Sequence, residues 1–118
     1  MDERKRQKLQ SIGIDLDEAL ERFMGREEMM LKFLLRFPQD PNFCQCKEAM
    51  EQKDTDAAYA AAHSLKGVVG NLSIKPLFRR ASQLCDQLRE KNLAGAGEEF
   101  GALEEEYQRA VETLLELE

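Results

Sequence analysis

The chain has 118 residues, 34% of them charged and 42% hydrophobic, with few aromatics, no tryptophan and a formal net charge of −6. That length supports one domain with a single core, and a composition led by Glu, Ala, Leu, Lys and Arg favours helices over strands. The negative charge argues against nucleic acid or an anionic membrane as partner, since both demand a basic field.

No run approaches the ~18 apolar residues of a membrane span, and the polar start lacks a signal-peptide pattern, which sets the expectation of a cytoplasmic protein. Arg4, Lys5, Arg6 and Lys8 form the one basic run. Beside Asp2 and Glu3 and without an interleaved aromatic, it reads as a solvated stretch, so residues 1–12 are expected to be a flexible or frayed leader. The folded unit is then 13–118. An initiator-like Met1 and a helix ending near Glu118 set the further expectation of a complete small protein.

From Ile14 the pattern becomes periodic. Asp15 is placed to cap a short helix with Glu18 reaching back to it, and Leu16, Ala19, Leu20 and Phe23 share one face before Gly25. A second helix from about Glu27 carries Met30, Phe33, Leu34 and Phe37 towards a core and stops at Pro38. Asp40 as N-cap and Pro41 at the first position begin a further helical piece that buries Phe43, Cys46 and Met50. Asp54 caps the next helix, which runs to about Leu72. A very short connection leads to another, from Pro76 to about Lys91, with Leu77, Ala81, Leu84 and Leu88 on its seam. "NLAGAGEE" reads as a loop, followed from about Glu98 by a last helix carrying Phe100, Leu103, Tyr107, Ala110, Val111 and Leu114.

Short links between long amphipathic helices predict an all-α fold, an up-and-down antiparallel four-helix bundle with a short extra N-terminal helix. Three cysteines, Cys44, Cys46 and Cys85, are an odd set without a secretory context. The C-x-C spacing lacks a second pair, so they read as buried or half-buried free thiols rather than a disulfide framework or a metal centre.

The helix over "AAHSLKGVVGN" holds the only histidine of the chain. With Leu65 at zero on a wheel of about 100° per residue, Ala58, Ala61, Ala62, Val68, Val69 and Leu72 fall within about 60°, while His63 lies at about 160°. Gly67 is about 40° from His63 and one turn on, Ala60 flanks it one turn earlier, and Gly70 is almost in line two turns on. Lys66 is its direct neighbour at i+3. Two interior glycines cost a helix about 2 kcal/mol relative to alanine, and the apolar stripe does not need them. The reading is that another macromolecule presses against this turn. An imidazole, with an ordinary pKa of about 6.5, offers a nitrogen lone pair as nucleophile, and Lys66 a charge to stabilise an arriving phosphoryl group. No nucleotide-binding glycine loop, kinase signature or acidic metal cluster accompanies them.

At these residues the sequence resembles the histidine-containing phosphotransfer (HPt) domain family. "AHSLKGVVGNL" is similar to that family's His, Lys at +3, Gly at +4 and small residue at +7, and the flanks resemble it from Gly13 onward. The resemblance implies that His63 is phosphorylated on its outer ring nitrogen, Lys66 interacts with the phosphoryl group, and Gly67 leaves room for a partner aspartate, with Ala60 and Gly70 in the docking surface. It implies reversible exchange with receiver domains of response regulators and histidine kinases. The partner would bring Mg²⁺, and this chain, expected to act as a monomer, no cofactor of its own. Cys85, 22 residues after His63, stands where many members carry a Glu or Gln near the ring. Two other readings remain: a non-phosphorylated helical adaptor using the same surface, and a small enzyme with His63 as general base, for which no second catalytic group can be named.

Overall fold

In a computed structural model, residues 1–117 are described. Among them are seven α-helices and one 3₁₀ turn: α1 Glu3–Ser11, α2 Leu16–Arg22, α3 Glu27–Arg36, the 3₁₀ turn Phe37–Gln39, α4 Asn42–Glu51, α5 Thr55–Asn71, α6 Lys75–Arg89 and α7 Leu93–Glu116. The fold is all-α. α3, the 3₁₀ turn and α4 form the first, broken member of a four-helix bundle, completed by α5, α6 and α7. Pro38 explains the break, because it has no N–H to continue the helical ladder.

The later bundle helices reverse direction within a few residues, because each end supplies its own stop and the next start. At Lys53, Ser73 and Lys91 the backbone turns left-handed, with φ of 56°, 56° and 57°. The following N–H then reaches back into the helix just ended: Asp54 to the Ala49 carbonyl (2.9 Å), Ile74 to Val69 (3.0 Å) and Asn92 to Gln87 (2.9 Å). These are Schellman closures, and each donor is also the N-cap of the next helix. A non-glycine residue in that conformation costs about 1 kcal/mol or more, offset by the satisfied terminal carbonyls. Asp54 and Asn92 add side-chain caps, accepting from the N–H of Ala57 and of Gly95, both at 3.0 Å. Each helix from α4 on therefore packs against its successor, and α3 with the 3₁₀ turn closes the ring on α7.

The core fills with Leu34, Leu65, Val69, Leu77, Leu84, Leu103 and Leu114. Phe43 stacks on Tyr107 with ring centroids 3.9 Å apart, and Phe100 lies 5.4 Å from the same phenylalanine. The expected faces hold with exceptions. Leu20, Phe23, Met50, Val68 and Val111 are only half-buried, and Phe33 is 45% exposed, its ring 5.6 Å from that of Phe23.

Other expectations are corrected. The frayed leader is the helix α1, capped by Asp2, which accepts from the Lys5 N–H at 2.7 Å. Its one leucine, Leu9, is fully buried, and α1 packs on α7; burying that side chain offsets the cost of ordering a charged segment. The "NLAGAGEE" loop is the first part of α7. Asn92 caps it, Ala96 is fully buried one turn before Phe100, and the Gln87 amide occupies the space a Cβ at Gly95 would take. Asp40 accepts from the Asn42 N–H at 2.9 Å, but α4 begins at Asn42, one residue beyond Pro41. Cys46 and Cys85 are buried, whereas Cys44 is exposed, contrary to expectation. Burial pushes the Cys46 thiol up to about 12 and raises that of Cys85 as well. The helix end expected near Glu118 lies outside the described residues. None of the described helices is long and apolar enough to cross a membrane.

A short backbone latch joins the N-terminal segment to the end of α5. Ile14 and Ile74 form an antiparallel bridge, in which the Asp15 N–H donates to the Ser73 carbonyl (3.0 Å) and the Lys75 N–H to the Gly13 carbonyl (3.1 Å). Gly13 has φ +84° and its missing Cβ would run into the Pro76 ring, so glycine is required there. Glu18 does not reach back to its own N-cap. It pairs with Lys75 (2.6 Å) and Arg22 (3.1 Å) and accepts from the Ser73 hydroxyl (3.1 Å). The Lys75 hydrogen bond first, then that of Arg22, lowers its carboxyl to about 2.

Candidate functional site

α5 buries Ala58, Ala61, Ala62, Leu65 and Val69 and exposes His63 on the opposite face, as the wheel predicts. Helical side chains lean towards the N-terminus, so each covers the turn before its own Cα. The imidazole accordingly lies by Tyr59: their centroids are 5.9 Å apart and their planes 17° from parallel. Lys66 is half-buried, with its ammonium 5.7 Å from the centroid of the Phe78 ring. A side chain at position 67 would lean back over His63 itself. Gly67 supplies none, and among the described residues no atom beyond its chain neighbours and its own helix backbone lies within 4 Å of where its Cβ would be.

Gly70 differs from expectation. It is half-buried, and an added Cβ would sit 3.2 Å from two atoms of the Phe78 ring. Its lack of a side chain serves the approach of α6 as well as the outward surface. Phe78, from the first turn of α6, is exposed and walls the site.

His63, Lys66, Gly67 and Gly70 come together in one hollow of about 280 Å³, joined by Arg22, Asn71 and Phe78. Ala60 is exposed on the same helix but does not line it. A wider groove of about 770 Å³ adjoins it through Arg22 and Asn71, with Phe23, Phe33, Val68 and Leu72 among its walls. The groove is larger but lacks the imidazole, which lies with Lys66 in the smaller hollow.

Among the described residues, none hydrogen-bonds the His63 ring. Cys85 is 1% exposed and belongs to the core. Sequence reasoning passed over Tyr59, Arg22 and Arg89, the last of which donates to the Tyr59 hydroxyl at 3.4 Å. An aromatic residue four positions before the histidine was a readable signal for the first. Nothing local linked the two arginines, on α2 and α6, to α5. No group of three or more His, Cys, Asp or Glu among the described residues is placed to hold a metal ion.

An exposed nucleophile, a cation one turn on and a cleared approach, carried on a rigid bundle, can take up a group that a macromolecular partner delivers. The Hpt domain family model matches residues 28–113, and the chain belongs to that family. Its members are phosphocarriers of two-component signalling that work with receiver domains and histidine kinases. The match begins in the first turn of α3, so α1 and α2 lie outside it. No curated protein and no solved structure matches the chain significantly.

Proposed function

We propose that this Hpt domain is a cytoplasmic, monomeric phosphocarrier, that His63 is its phosphoryl-accepting residue, and that it carries the group between receiver-domain aspartates of a histidine kinase and a response regulator. The observation that carries this reading is the placement of the chain's only histidine on the anti-core face of α5 with nothing over Gly67. The lone pair of the outer ring nitrogen attacks the phosphorus of the partner's aspartyl phosphate. An N–P bond forms, the P–O bond to the aspartate breaks, and the carboxylate leaves with its electron pair; the reverse step passes the group on.

Lys66 neutralises charge on the phosphoryl oxygens, swinging from the Phe78 ring on which it rests. Ala60, Gly67 and Gly70 leave low ground for the receiver, and the groove of Phe23, Phe33 and Val68 gives it apolar contact. The Mg²⁺ that such transfer uses is assigned to the receiver domain, as is the aspartate.

The test is incubation with a phosphorylated receiver or an autophosphorylating hybrid kinase. The expected product is an acid-labile, alkali-stable adduct that is absent in His63→Gln, while the helicity of that variant matches wild type. Transfer that survives the substitution overturns the assignment, and binding without any adduct leaves the adaptor reading in its place.

A further inference from the structure

We propose that Tyr59, clamped by Arg89 across the α5–α6 seam, is a positioning residue that holds the His63 ring for attack. The inference rests on the phosphocarrier reading and adds what orients its nucleophile. An exposed imidazole with two free torsions samples several rotamers, and only some of them aim the outer nitrogen away from the helix. In this chain no described hydrogen bond selects among them, and Cys85, on α6, is buried in the core.

Tyr59 supplies the missing constraint. It sits one turn before His63, on the side towards which the histidine leans, and 5.9 Å with 17° between planes is an offset stack. Offset stacking engages the face of the imidazole and leaves its nitrogen edge open, which suits a nucleophile better than a hydrogen bond to the reacting atom. Tyr59 is itself restrained. It is half-buried, its hydroxyl accepts from Arg89 Nη2 at 3.4 Å, and the guanidinium carbon lies 5.7 Å from its ring centroid. Asp86 holds the same guanidinium at 3.3 Å. Arg89 follows Cys85 by one turn of α6, so that helix orients the imidazole indirectly, through a tyrosine. The ring is preorganised, and the fraction of molecules ready to react rises.

Because His63 is the only histidine, its ring-proton NMR signals are unambiguous. The experiment compares wild type, Tyr59→Phe and Tyr59→Leu. It records those signals, thermal unfolding, and the rate of phosphorylation by phosphoramidate, whose P–N bond breaks to release ammonia as the new N–P bond forms. In Tyr59→Leu, the ring-current shift of the His63 protons should vanish and the rate should fall about three- to tenfold at temperatures where the protein is folded. Tyr59→Phe should restore the shift and most of the rate. A merely structural role would change the unfolding temperature without this paired loss and rescue. A wild-type rate in folded Tyr59→Leu, or identical ring-proton shifts in all three proteins, overturns the proposal. A wild-type protein that gains no adduct from phosphoramidate or from a phosphorylated receiver overturns the phosphocarrier reading instead.

Discussion

Two stretches of this bundle place glycines inside helices, the turn after His63 on α5 and the opening turns of α7. Gly67 on the first and Gly97 and Gly101 on the second are alike in one respect: all three face solvent, and among the described residues an added Cβ would meet nothing within 4 Å beyond its chain neighbours and its own helix backbone. An open glycine is therefore not in itself the mark of a docking site. What separates the two stretches is the residue one turn earlier. Behind Gly67 stands the imidazole, onto which any side chain there would fold back. Behind Gly101 stands only Gly97, and nothing in the structure explains either glycine.

Substitutions at these positions can break or sharpen that contrast. The largest effect is expected for Gly67→Gln, which should slow transfer from a phosphorylated receiver by about 100-fold, because a displaced approach of this kind forfeits that much of a positioned reaction. Its stability should rise by up to about 1 kcal/mol, read from denaturant unfolding, since glutamine is the better helix former. Unchanged transfer would deny the glycine its steric role. Gly101→Ala should gain about 1 kcal/mol and leave transfer as it was; a slower transfer there would bring α7 into the docking surface. Gly70→Ala is expected to move stability by less than about 0.5 kcal/mol, because the propensity gain is set against a Cβ pressed to 3.2 Å from Phe78. A full gain near that of Gly101→Ala would show that the exposed phenylalanine simply turns aside.

The bundle and the outward placement of His63 were legible in the sequence because α5 has a clean apolar stripe, and a stripe fixes the opposite face as firmly as its own. The start of α7 was misread because glycine propensity was weighed above the Asn92 cap and above Ala96, which extends the Phe100–Leu103–Tyr107 period back by one turn. The first helix was missed because a single leucine in a charged segment gives no period, although that leucine is completely buried. At the site, His63, Lys66 and Gly67 were legible because they lie within one turn of one another. Arg22, Phe78 and Arg89 arrive from α2 and α6, and their meeting with α5 depends on helix rotation that a single helix does not encode. Gly70 was assigned to the outward surface alone for the same reason: the ring it accommodates belongs to another helix.

The bridge between Ile14 and Ile74 also shapes how this protein breathes. It fastens two segments from opposite halves of the chain, and the Glu18 carboxylate spans the same joint while gripping Arg22, one wall of the hollow. Opening the N-terminal helices therefore also breaks backbone hydrogen bonds at the end of the histidine helix, those of the Asp15 N–H to Ser73 and of the Lys75 N–H to Gly13. When that joint parts, the imidazole keeps its place on α5 but loses the arginine beside it. The hollow around the imidazole is consequently built in part from a residue that precedes the matched family region.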